Sequence, residues 1–131
     1  MTGQVRLAEL QLAIMNVLWD EGEATVAQVR ESLEQAERPL AHTTIATMLS
    51  RMETEGHLEH RSEGRANIYR PLLRREEVSR SMVSDLASRL FRGDVTQMVA
   101  HLLAESDVTP EEIARLKKLV REKEREVKDG Q

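Results

Sequence analysis

The chain contains no cysteine. This excludes disulfides, thiolate zinc sites and thiol redox chemistry, and it permits a reducing compartment. Aromatic residues are nearly missing as well: one Trp, one Tyr and one Phe, 2% of the sequence. The large apolar units are therefore Leu, Ile, Val and Met, which suit helix packed on helix and disfavour an aromatic-lined ligand cavity. No apolar run approaches the roughly eighteen residues of a membrane span. The opening "MTGQVRLAEL" lacks the basic head and apolar core of a secretory signal, so a cytoplasmic location is expected. An excess of positive charge is also absent, the net charge being −4. Phosphate contacts supply most non-specific affinity for nucleic acid, so the case for such a partner has to be made locally.

Catalytic patterns are missing too. There is no Ser-His-Asp arrangement and no glycine-rich phosphate loop. The histidines are His42, His57, His60 and His101. His57 and His60 stand three apart in an expected strand, on opposite faces, which makes a poor chelate. Neither an enzyme nor a metal or cofactor site is expected.

What is present is helical periodicity. At 131 residues, 40% hydrophobic and 32% charged, the chain fits one compact domain or two small lobes. Residues 7–20 carry Leu7, Leu10, Ile14, Val17 and Leu18 on one side, and "DEGEA" breaks that helix. "TVAQVRESLEQ" starts a second helix with a capping box, Thr25 and Gln28. "AERPL" is a turn in which Pro39 ends any preceding helix, and a third helix runs through "AHTTIATMLSRMETEG" to Gly56, a left-handed stop. The period then changes. "HLEHRSEGRANIYRPL" reads as two strands, 57–62 and 66–71, turning at Ser62 to Arg65. Three helices and a hairpin in this order predict a winged helix-turn-helix; the plainer alternative is a small helical domain with an incidental hairpin.

From Arg74 the pattern is helical again, in three stripes. Val78, Met82, Leu86 and Leu90 form the first, and Val95, Met98, Val99, Leu102 and Leu103 the second. Thr109-Pro110-Glu111-Glu112 opens the third, with Ile113, Leu116, Leu119 and Val120. The expected fold is mainly α: a winged helix over residues 1–72, then three further helices over residues 73–131.

The third helix is the informative one. At about 100° per residue, Ile45, Met48, Leu49 and Met52 cluster on one side. Thr43, Thr47, Ser50 and Thr54 fall on the other, flanked by Thr44 and Arg51. Such a narrow ridge of small side chains fits a major groove about 12 Å wide, with threonine hydroxyls and methyls for base edges and Arg51 for guanine or phosphate. The bland readings are that Thr43 merely caps the helix and that Arg51 pairs with Glu55. On the hairpin, Arg61 and Arg65 flank the turn and could rest on the sugar-phosphate backbone. Against this, Glu53, Glu55, Glu59 and Glu63 match Arg51, Arg61, Arg65 and Arg70 one for one, so the region is neutral and non-specific affinity should be weak.

Taken together, "IMNVLW", "TVAQVRESL", "HTTIATMLSRMETEGHL" and "EGRANIYRPL" resemble the penicillinase-repressor (BlaI/MecI) family of bacterial winged-helix repressors over nearly the whole chain. The resemblance implies a homodimer on an inverted-repeat operator. It places Thr43, Thr44 and Thr47 toward the bases, and His42, Arg51 and Arg65 toward the backbone. Members often carry lysines before the glycine that ends this helix; here stand Glu53, Thr54 and Glu55. The family also implies possible partnership with a membrane metalloprotease sensor, or a protease downstream of it, that cuts the dimerisation lobe. The Asn-Phe pair of β-lactam-responsive members is replaced here by Ala100-His101-Leu102-Leu103. Copper sensing through a cysteine cluster is excluded by the absence of cysteine.

The three C-terminal stripes have no sheet to pack on, so pairing with an identical copy is expected, with residues 1–72 as the DNA-binding domain and residues 73–131 as the dimerisation domain. That would set two third helices on successive major grooves, about 34 Å apart or a multiple of it. The runner-up is a MarR- or PadR-like regulator with a small-molecule pocket, and beyond it a winged helix that binds protein.

Overall fold

The computed structural model describes residues 7–130. Among these, the order is α1 (Glu9–Glu21), β1 (Ala24–Thr25), α2 (Val26–Gln35), α3 (His42–Thr54), β2 (Leu58–Glu63) and β3 (Ala66–Pro71), followed by α4 (Arg75–Phe91), α5 (Val95–Glu105) and α6 (Pro110–Asp129). The chain forms two compact units that divide between Asp85 and Leu86, inside α4.

Local chemistry accounts for most element ends. Thr25 Oγ1 accepts the Gln28 amide at 3.2 Å while Gln28 Oε1 accepts the Thr25 amide at 2.8 Å, closing the expected box at the start of α2. Thr109 and Glu112 repeat it at α6, with Pro110 in the first turn. At the far end of α3, Gly56 adopts φ +85°, which an L side chain resists. That turn lets the His57 amide reach the Met52 carbonyl at 2.9 Å and the Gly56 amide reach Glu53 at 3.0 Å, the paired bonds of a Schellman stop.

The sheet has three strands in the order β1-β3-β2, all antiparallel. β1 was not expected. Its two residues are too few for a period, and the "DEGEA" break hid the pairing of Ala24 with Tyr69 and Thr25 with Ile68. β2 starts and ends one residue later than expected, so the hairpin loop shrinks to Gly64 and Arg65, with Gly64 at φ +63° as a tight two-residue turn requires. Leu58, Tyr69 and Ala24 lie on the inward face and are buried; the opposite face carries Glu59, Arg61, Ile68 and Arg70.

The core of the first unit takes one stripe from each helix. Ile14, Met15 and Leu18 of α1 meet Val29 and Leu33 of α2 and Ile45, Leu49 and Met52 of α3. Trp19 Nε1 donates to the Leu73 carbonyl at 2.9 Å, and Arg75 lies over its ring while bonding Asp20 at 2.7 Å. The chain leaving the sheet is thus pinned to the end of α1. Val78 is buried in this same core and Met82 packs against it. Val78, expected on a pairing surface, has its apolar area taken up within its own lobe.

The second unit is different. Arg92 at φ 51° and Gly93 at φ 80° break the chain after α4, and Asp94 caps α5 through the Gln97 amide. Among the described residues, α5 and α6 contain none that is buried. Leu86, Leu90, Val95, Val99, Leu102, Leu103, Leu116 and Val120 are exposed, and Met98 and Ile113 are half-buried.

Leu49 has no exposed surface, so Leu49→Ala leaves a cavity beneath α3. Urea unfolding at a fixed protein concentration should show a loss of about 2–5 kcal/mol. A loss under about 1 kcal/mol would mean the helix is not anchored there.

Candidate nucleic-acid interface

Burial of Ile45, Leu49 and Met52 fixes the rotation of α3, and the rotation decides what faces outward. His42, Thr43, Thr44, Thr47, Ser50 and Arg51 are all exposed. The Ala41 cap offers no side-chain acceptor, so the first-turn amides, at the positive end of the helix, carry no side-chain cap. This disposes of the capping reading for Thr43. The Thr54 hydroxyl is turned back on the Ser50 carbonyl at 3.1 Å and is occupied within the helix.

The pairing of Arg51 with Glu55 is not found either. Glu55 instead accepts Gln11 Nε2 at 3.1 Å and lies 3.7 Å from His57 Nε2. Glu53 is also held, against His60: the ring Nδ1 stands 2.7 Å from one oxygen and the backbone amide donates to the other at 3.3 Å. His60 in turn lies against Tyr69, with ring centroids 5.4 Å apart. These two carboxylates therefore bolt the end of α3 to α1 and β2. These fasteners were not foreseen in the sequence, because no local spacing rule joins Glu55 to Gln11 or Glu53 to His60.

The wing divides into engaged and unengaged arginines. Arg70 pairs across the strands with Glu59. Arg61 donates to both oxygens of Glu23, at 2.9 and 3.0 Å, and to Glu63 at 3.1 and 3.2 Å. Among the described residues, Arg51 on α3 and Arg65 in the turn carry no ion pair. The Arg61 hydrogen bonds, opposed by partial loss of solvent and aided by the charges of Arg61 and Arg70, hold the Glu23 carboxyl below its ordinary pKa. Bonds to Glu23 and then Glu63 push Arg61 upward from an already high value.

An exposed ridge of hydroxyls, uncapped helical amides and two arginines beside a hairpin form a shape and polarity that fit a duplex groove. The fold is a winged helix-turn-helix, the architecture of many transcription regulators.

Comparison with known proteins agrees. The penicillinase repressor family profile matches residues 7–122. A transcriptional regulator, BlaI, of Mycobacterium tuberculosis is 36% identical over 100 residues, 75% of this chain and 72% of that one. The penicillinase repressor of Bacillus licheniformis is 26% identical over 117 residues, covering 89% of this chain and 91% of its own. The chain belongs to the penicillinase-repressor family, a family of transcriptional repressors rather than enzymes. A MarR family protein from Bacillus stearothermophilus superposes with a TM-score of 0.51 at 21% identity, covering 95% of this chain and 77% of that one, a likeness of fold.

The Glu23 shift fixes the sign of a pH effect. Its folded pKa is lowered, so its pairing with Arg61 stabilises the lobe above the ordinary value of 4.5 and ceases to do so as pH falls through the folded value. Glu23→Gln should melt slightly below the wild type at neutral pH, with the gap closing in acid. The effect is small because the pair is solvent-exposed. A gap that widens on acidification would contradict the assignment.

Proposed function

We propose that the chain represses transcription as a homodimer on an inverted-repeat operator, in the cytoplasm. Thr43, Thr44 and Thr47 would meet base edges, while His42, Ser50, Arg51 and Arg65 lie along the flanking backbone. Arg61 sits within reach of that backbone but is engaged by carboxylates. One observation carries the reading: α3 exposes its hydroxyl ridge while Ile45, Leu49 and Met52 on its opposite face are fully buried. A helix held this way has a surface made for contact and none left over for its own core.

The exposed apolar residues of the second unit support the pairing of two copies. Val99, Leu102, Leu103, Val108, Leu116 and Leu119 line an open cleft of about 430 Å³ between α5 and α6. A contiguous apolar surface of this kind marks a binding partner, and an identical copy supplies a self-complementary one. Residues up to about Pro71, with the Val78 turn that closes their core, then read DNA, and the helices beyond join the copies. A protease acting under a membrane metalloprotease sensor, or another signal acting on this second unit, would release the operator by removing the avidity of the second half-site.

The reading is tested on an operator selected from a random duplex library. Thr44→Ala with Thr47→Ala should lower operator affinity by about 1–3 kcal/mol per lost base contact and leave random-sequence affinity nearly unchanged. Undiminished operator preference in the double variant would refute the base-contact assignment.

Pairing is tested separately with Leu102→Glu and Leu119→Glu together. Sedimentation should show monomers with helicity retained, and operator affinity should fall about a hundredfold or more. A variant that stays dimeric, or a monomer that binds as tightly, would contradict the proposed use of this surface.

A further inference from the structure

We propose that Glu23, in the turn between α1 and β1, limits the affinity of the wing for DNA by competing with phosphate for Arg61. The inference rests on the DNA-binding reading above and names a residue outside the expected contact surface.

The geometry is specific. Arg61, Ile68 and Thr25 are in register on the outward face of the sheet, so the Arg61 side chain crosses β3 to reach Glu23 beyond the end of β1. Both terminal nitrogens meet the two Glu23 oxygens, at 2.9 and 3.0 Å. Nε and one terminal nitrogen also meet Glu63, at 3.2 and 3.1 Å. A guanidinium has only five N–H donors in a fixed fork, so almost all of them point at carboxylates. A phosphate seeking the same two-pronged contact must displace one of them. It also approaches a trio that is net negative, two carboxylates around one guanidinium. Arg65 and Arg51 carry no such guard among the described residues.

The consequence is selective. Phosphate contacts give affinity without sequence information, so removing one from the wing lowers binding to every duplex and raises the relative weight of the base contacts of α3. Glu23 is thus a specificity-determining residue that never touches DNA. The plainer role, a brace between β1 and the wing, predicts a change in stability alone.

The experiment uses the full chain and a random-sequence duplex, with anisotropy titrations across a series of KCl concentrations. Glu23→Gln should tighten binding several-fold, and the slope of log K against log salt should steepen by about 0.9 for each Arg61 released, about 1.8 for a dimer. Glu63→Gln should act in the same direction, more weakly. Arg61→Gln alone should bind close to wild type, and Glu23→Gln should add nothing to it. Unchanged or weaker binding in Glu23→Gln overturns the proposal. So does a gain that persists in the Arg61→Gln background, because it would reflect only the lost charge. If the wild type binds no duplex at any salt, the DNA-binding reading fails and takes this one with it.

Discussion

The presentation of α3 depends on a single constraint: three side chains, Ile45, Leu49 and Met52, must be fully buried at once. They lie on one stripe, so satisfying them sets both the depth and the rotation of the helix. The outer ridge is a consequence of that setting. Its side chains are small, and none of the described residues of the lobe covers it. The fasteners at its end, Glu53 on His60 and Glu55 on Gln11, then remove the freedom to slide that one apolar stripe would leave. A base-reading helix needs that restriction, since contacts at hydrogen-bond distance tolerate little displacement.

The same fasteners explain how an acidic protein can belong to a family of DNA-binding repressors. Carboxylates near the wing and the end of α3 do not face solvent as free negative charge: Glu53, Glu55, Glu59 and Glu63 all have partners within the lobe. Local neutrality therefore reflects equal numbers of Glu and Arg, with Glu59 and Glu63 paired to arginines and Glu53 and Glu55 held by His60 and Gln11. Among the described residues, the uncapped first turn of α3, Arg51 and Arg65 are electropositive features of this surface with no ion pair. Long-range attraction is weak under such conditions, and binding has to come from fit.

Much of this was legible in the residues, and the rest was hidden for physical reasons. The stripe of α3, the boxes at Thr25 and Thr109 and the glycine stop at Gly56 are local, decided within four or five residues, and each appears where expected. The two-residue β1 was invisible because pairing, not period, creates it. Val78 shows a different limit: its stripe was read correctly, but periodicity says only that a face is apolar and not which core receives it. Glu23 and Arg61 stand 38 residues apart, and no spacing rule joins two charges across a sheet. The Arg61 position was found from its place beside the hairpin turn, while its engagement could come only from the fold.

These pieces imply a division of energy between the two units. If the wing is guarded and the surface is neutral, one lobe alone gains little from phosphates and only a few base contacts from α3. Such a half-site is weak by construction, and weakness is useful when the second copy is tethered, because effective concentration then multiplies two modest affinities into one tight one. It also makes release sharp, since losing the tether returns each lobe to its own feeble grip. A strongly basic wing would defeat this arrangement by holding a severed lobe on DNA. On the proposed reading, the carboxylates around Arg61 and the bare apolar faces of α5 and α6 serve one end: the first keeps a single lobe from binding well, and the second makes binding depend on pairing.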